Sequence, residues 1–220
     1  MNEQTLGAAL ESVLDGRRLL SHPFYLRWSA GTVTRDELRA YAGQYRAFER
    51  LVPELLRGIA ASATAERLRS QALQNLADET DPRAPHLALF ERFAAALGAP
   101  PEAELSPAMR RLLGAYAGAM KAGPAEAFAA LWSYEAQAPE ISETKAKGLR
   151  EHHGLTREET EFWELHAQLD VDHARWAVGA LAASIEDETR VRPAAESAAR
   201  AWWTFLDERE ALRPSFAAVS

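Results

Sequence analysis

The sequence predicts an all-α fold, one domain over residues 1–220 with about seven to eight helices. Apolar residues recur at helical spacing along nearly all of the 220 residues. Alternating apolar and polar runs, the mark of a half-buried strand, are missing. Val, Ile and Thr are sparse beside Ala, Leu, Glu and Arg, which favours helix over sheet. Linkers are short, composition does not shift and no repeat is visible, so a single bundle is the economical arrangement.

Thr5 can cap a first helix to about Leu20, with Leu6, Leu10, Val13 and Leu14 inward. Ser21, His22 and Pro23 stop it, and a short helix carries Phe24, Tyr25 and Trp28 to Gly31. Thr34 and Glu37 form a capping box. It opens a long helix with Leu38, Tyr41, Tyr45 and Phe48 on one side. Pro53 should kink that helix, because it has no N–H for the carbonyl of Glu49. Thr64 caps the next helix, which ends near Glu79 and Pro82.

Another helix runs from Pro85 to Leu97 and closes at Gly98, a left-handed C-cap position. Ser106 and Pro107 pair an N-cap with a first-turn proline, giving a helix to about Lys121. Gly123 and Pro124 start a helix that passes Glu135 to about Leu149, kinked at Pro139. Thr156 and Glu159 form a second capping box for a helix to about Ser184. A last helix covers roughly Glu188 to Leu212, with Pro193 in its first turn or bending it.

Composition narrows the function. Formal net charge is −7, which argues against nucleic acid, since phosphate needs a basic surface. Cysteine is absent, so there is no disulfide, thiolate metal site or cysteine nucleophile. No apolar run approaches the roughly 20 residues of a membrane span, and residues 1–5 lack signal-peptide features. The expectation is a cytoplasmic protein without a membrane partner.

The chemistry concentrates at His166, Asp170 and His173, spaced i, i+4 and i+7. At about 100° per residue these three fall within roughly 60° on one helix face. Asp172 points elsewhere. Two imidazoles and a carboxylate on one face make half of a metal site. Glu135 lies in an apolar stretch, and Pro139 cannot bond its carbonyl, so the helix opens there. A carboxylate facing a core is costly unless paired or metal-bound. Taken singly, Glu135 reads first as an acid that faces solvent or pairs with an Arg or Lys. Glu79 and His86 flank a tight corner at Pro82 and Pro85 and can face one point across it.

Together Glu79, His86, Glu135, His166, Asp170 and His173 supply three carboxylates and three imidazoles, enough for two first-row ions. Such ligands suit Fe or Mn, and Zn is compatible. Asp170 and His173 form a shorter relative of the Glu-x-x-His device of di-iron bundles. His22, His152 and His153 lie near helix ends and read as surface or capping residues.

With these residues in hand, the chain resembles the heme-oxygenase-like di-metal oxidases, the superfamily that includes TenA-like and PqqC-like proteins. The likeness runs from about Asp15 to Leu181. It is carried by His22-x-Phe24-Tyr25-x-x-Trp28-Ser29-x-Gly31, Ala40-Tyr41-Ala42-x-x-Tyr45, Asn75-Leu76-x-Asp78-Glu79, Ser133-Tyr134-Glu135-x-Gln137-x-Pro139 and His166-x-x-x-Asp170-Val171-x-His173-Ala174-Arg175. It is strongest to the chlamydial, CADD-type branch, which is implicated in making 4-aminobenzoate for folate from its own side chains.

The resemblance implies a heme-oxygenase-like helical bundle and a reduced Fe/Fe or Fe/Mn pair that uses O2 and an external reductant. It further implies Tyr25 as the source of the ring and Lys145 as the amino donor. Tyr41, Tyr45 and Tyr134 become a radical relay, and a homodimer is expected from relatives. Arg46 and Phe162 depart from the branch, each standing where the relative has an aromatic or tyrosine side chain.

Read from spacing alone, Tyr25 is a core residue and Lys145 a solvated helix lysine. On one continuous helix Lys145 would lie about 15 Å along from Glu135. Two other readings stay open. The same cluster could oxidise an external small molecule, or the chain could be a metal-free ligand-binding protein. Thiaminase chemistry is disfavoured by the missing cysteine.

Overall fold

The computed structural model describes residues 1–213 and 215, and for 170–172 it describes the backbone helix but not the side chains. Among the described residues there are ten α-helices and no strand. They are α1 (Glu3–Glu11), α2 (Pro23–Ser29), α3 (Arg35–Ser62), α4 (Glu66–Glu79), α5 (His86–Ala96), α6 (Pro107–Ala122), α7 (Pro124–Glu135), α8 (Ala138–His153), α9 (Glu161–Ala182) and α10 (Arg192–Ala211). No helix among them is long and apolar enough to cross a membrane.

One of the helices beyond the expected seven to eight arises because the run from Pro124 to about Leu149 is two helices. α7 stops at Glu135, and Pro139 sits in the first turn of α8 rather than kinking a continuous helix. Gln137 fixes the corner. Its amide donates to the Ser133 carbonyl at 2.9 Å, and its carbonyl accepts from the Leu19 N–H at 2.8 Å.

Other boundaries also moved. Asn2, not Thr5, caps α1, and α1 ends at Glu11 before two short 3-10 turns and Gly16 at φ +70°. Thr64 does not cap α4, whose N-cap is Ala65. The Thr156–Glu159 box forms but opens a 3-10 turn, Glu158–Thr160, ahead of α9. The Thr34–Glu37 box, the Ser106 cap with Pro107, and left-handed Gly98 stand as expected. α3 runs through Pro53 without a break.

α7 is the axis. Every residue from Ala125 to Glu135 is buried, as befits a helix that is apolar nearly all round. It packs against α3, α6, α9 and α10. α3 and α9 flank it with aromatic faces, while α4 and α5 meet at the corner that carries Glu79 and His86. α2 lies across α8. Its N-cap is His22, which is buried rather than superficial. His22 Nδ1 accepts from the Phe24 N–H at 3.1 Å, leaving Nε2 to donate to Asp207 at 3.1 Å.

Gly148 admits the Trp28 ring. A Cβ there would lie 2.8 Å from Trp28 Cδ1 and 3.1 Å from the Trp28 carbonyl oxygen. The indole N–H donates to the Lys145 carbonyl at 3.3 Å. This contact seats α2, and Tyr25 with it, over α8.

Candidate metal centre and the tyrosine ladder

α4 ends and α5 begins so that Glu79 and His86 face one point, and α9 brings His166 to it. Ligand atoms of these three lie within 4.8 Å of one another. His86 Nδ1 is 3.1 Å and His166 Nε2 3.9 Å from the Glu79 carboxylate. The two imidazoles meet edge to face at 4.6 Å. His166 Nδ1 lies 2.9 Å from the Phe162 carbonyl. A carbonyl only accepts, so Nδ1 carries a proton, and Nε2 is the nitrogen that faces Glu79. Burial works against ionisation of Glu79. Hydrogen bonds and charge from His166 and His86 outweigh it and hold its carboxyl well below the usual range.

Glu135 does not face solvent. It lines a small cavity with Glu79, His166, Tyr45 and Tyr134. His173 is buried too, and its Nε2 lies 3.0 Å from Asp78 rather than joining the Glu79 group. The side chain of Asp170, and that of Asp172, lie outside the described residues. The donor set fits a first-row ion: two aimed imidazole nitrogens and an ionised carboxylate sit within reach of one centre.

Beyond Glu135 begins a ladder of phenols. The hydroxyls of Tyr45 and Tyr134 are 2.7 Å apart, and those of Tyr25 and Tyr41 are 2.9 Å apart. Tyr41 stacks on Tyr45 at 5.5 Å, joining the two pairs. Burial pushes the Tyr25, Tyr41 and Tyr45 phenols well above their usual range.

Lys145 is fully buried, not solvated. The break at 136–137 removes the collinear-helix argument that would hold it far from Glu135. Its Nζ donates to the Tyr134 hydroxyl at 3.4 Å and lies 5.3 Å from the Tyr25 ring centre. Burial holds Lys145 well below its ordinary pKa, with Glu49 acting in the opposite sense.

Two residues escaped the sequence reading. Trp163 is fully buried, with its ring centre 3.8 Å from Lys145 Nζ. Glu49 is buried in the wall shared by Glu79, Glu135 and His166. The signal for Glu49 was present: four residues after Tyr45, it falls on the apolar stripe of α3. Arg46, by contrast, leaves the ladder and pairs with Glu91 at 2.8 Å. Phe162 packs on His166 at 4.3 Å.

A protein-family model described as Iron-containing redox enzyme matches residues 39–206. A 4-aminobenzoate synthase of Nitrosomonas europaea is 32% identical to this chain, over 94% of it and 92% of the relative. One of Chlamydia trachomatis is 30% identical, over 90% of this chain and 89% of the relative. A TenA homologue from Pseudomonas syringae superposes with a TM-score of 0.80 at 15% identity, covering 95% of this chain and 92% of its own. That last likeness is one of fold.

Proposed function

The chain belongs to the heme-oxygenase-like family of iron-containing redox enzymes, and from that membership we propose an O2-dependent di-metal oxidase that forms 4-aminobenzoate from its own Tyr25, with Lys145 as amino donor. Glu79, His86, Glu135, His166, Asp170 and His173 would hold the two ions, Fe/Fe or Fe/Mn. When bound, such a pair supplies oxidising power drawn from O2 and an external reductant. The partners in this reading are O2 and a small-molecule reductant, in a cytoplasmic homodimer.

The protein's own groups then divide the work. Trp28, Phe24 and Tyr41 wrap Tyr25 and exclude water from its ring. Tyr41, once it has itself lost its hydroxyl hydrogen to the ladder, could take the Tyr25 hydroxyl hydrogen across their contact. The Tyr45 and Tyr134 pair stands between that contact and Glu135. Lys145, whose pKa burial holds well below its ordinary value, sits beside the Tyr25 ring and donates to the Tyr134 oxygen.

The observation that carries the proposal is a fully buried amine 5.3 Å from the centre of a fully buried phenol ring. A second supports self-consumption over an external substrate. The cavity bounded by Glu49, Glu79, Glu135 and His166 has a volume of only about 20 Å³, room for about one water. The test is mass spectrometry of the chain after reaction with Fe(II), reductant and O2. Mass loss localised to Tyr25, with product formed, is expected. Product from an unchanged chain would sink self-consumption and favour an external substrate, entering by the groove over Asp78 and His173. A protein that stays empty with added Fe(II) or Mn(II) would favour the metal-free ligand-binding reading.

A further inference from the structure

Glu49 is a buried carboxylate outside the six expected ligands. Only 5% of it is exposed. It sits one turn after Tyr45 on α3 and lines the cavity that Glu79, Glu135 and His166 also line. The arginines nearest it in the chain turn away: Arg46 and Arg50 both approach Glu91. What surrounds Glu49 is the metal-ligand wall with His166 on one side, and Tyr45 with the Lys145 amine in electrostatic reach on the other. A carboxylate placed among phenylalanine and tyrosine rings is costly to keep charged without a cation.

Charge balance points the same way. Two divalent ions bring four positive charges. Glu79, Glu135 and Asp170 return three negative ones, and the histidines return none. A buried centre is least costly when neutral, and one further carboxylate completes the balance. An oxygen donor also suits Fe(II) and Mn(II).

We propose that Glu49 is a seventh protein ligand of the metal pair, the fourth carboxylate, and that its place one turn after Tyr45 in the same cavity wall joins the metal centre to the tyrosine ladder. This rests on the di-metal reading above. α3 therefore contributes both a ligand and two rungs of the ladder from a single face.

The experiment uses Zn(II), which is redox-inert and cannot trigger self-consumption. In a crystal structure of the full chain loaded with Zn(II), a Glu49 oxygen is expected about 2.0–2.2 Å from one zinc. That readout needs no variant, so it stands even where a substitution fails to fold. In solution, Glu49→Gln is expected to weaken one of two Zn(II) sites by at least about 10-fold, measured by chelator competition. A Glu49 oxygen more than about 3 Å from both ions, beyond any coordination distance, overturns the proposal and leaves the six-ligand centre intact. Unchanged affinity at both sites in folded Glu49→Gln overturns it equally. Wild-type protein that takes up no Zn(II) overturns it together with the di-metal reading.

Discussion

The Lys145 amine lies 3.4 Å from the Tyr134 hydroxyl and inside a cage of four aromatic rings. Such rings attract a cation by roughly 0.5–2 kcal/mol each. Burying an ammonium costs several kcal/mol, and burial accordingly holds the Lys145 pKa well below its ordinary value. A fully buried amine with a 3.4 Å hydrogen bond to one phenol is a poor structural element. Lys145→Met should therefore stabilise the metal-free protein by about 1–3 kcal/mol while abolishing 4-aminobenzoate. Urea unfolding and product chromatography check both halves. A variant less stable than wild type would show that the amine is held by more than this cage.

Tyr25→Phe removes one hydroxyl and keeps the ring. It breaks the 2.9 Å contact to Tyr41, which should cost about 1 kcal/mol. Product should vanish entirely. Tyr41→Phe breaks the same contact at the same cost, yet product should form more slowly rather than disappear. Equal product from Tyr25→Phe and wild type would remove Tyr25 as the source of the ring.

The Trp28 seat is testable at Gly148. A Cβ there meets the indole at 2.8 Å and backbone oxygen at 3.1 Å. Both neighbours are packed, so Gly148→Ala should cost about 1–3 kcal/mol through overpacking. Because the same displacement shifts α2, product yield should fall with metal content unchanged. Wild-type stability in this variant would mean that α2 yields freely.

Helix phase separates two neighbouring acids on α9. By helical spacing in the sequence, Asp170 is expected on the face of His166 and His173, and Asp172 roughly 240° around from His166. Asp170→Ala should abolish tight binding of one ion, and Asp172→Ala should leave both. Elemental analysis of the two variants decides it. Equal loss in both would rotate the assigned face.

Acid dependence follows from Glu49 in metal-stripped protein. Burial is the main cause of its raised pKa, about 8 in the folded chain against 4.5 for the ordinary group. The folded state thus holds the proton that the unfolded chain releases. The contribution to stability is full below pH 4.5 and is lost as pH rises through about 8. Wild type should weaken across that window relative to Glu49→Gln, which has nothing to titrate there. Parallel stability curves from pH 5 to 8 would contradict this sign.

Much of this was legible in the chain. The Thr34–Glu37 box and the Ser106–Pro107 pair are local chemistry, so α3 and α6 start where the sequence places them. The meeting of Glu79, His86 and His166 followed from ligand types at helix ends and on one face. The Lys145 position did not. It depends on a chain reversal at 136–137 held by Gln137 to Ser133 and to Leu19, a contact 118 residues distant. Periodicity cannot see such a contact, and Pro139 alone looks the same in a kink and in a first turn. Glu49 was readable from its place in the stripe, but one acid among apolar residues is a weak signal until its neighbours are known.

The void beside Glu135 is scarcely larger than a solvent molecule. If Tyr25 supplies the ring, the proposed chemistry would run once per polypeptide. Output would then be counted in ribosomal products rather than in turnovers, and vitamin supply would track how fast the gene is translated.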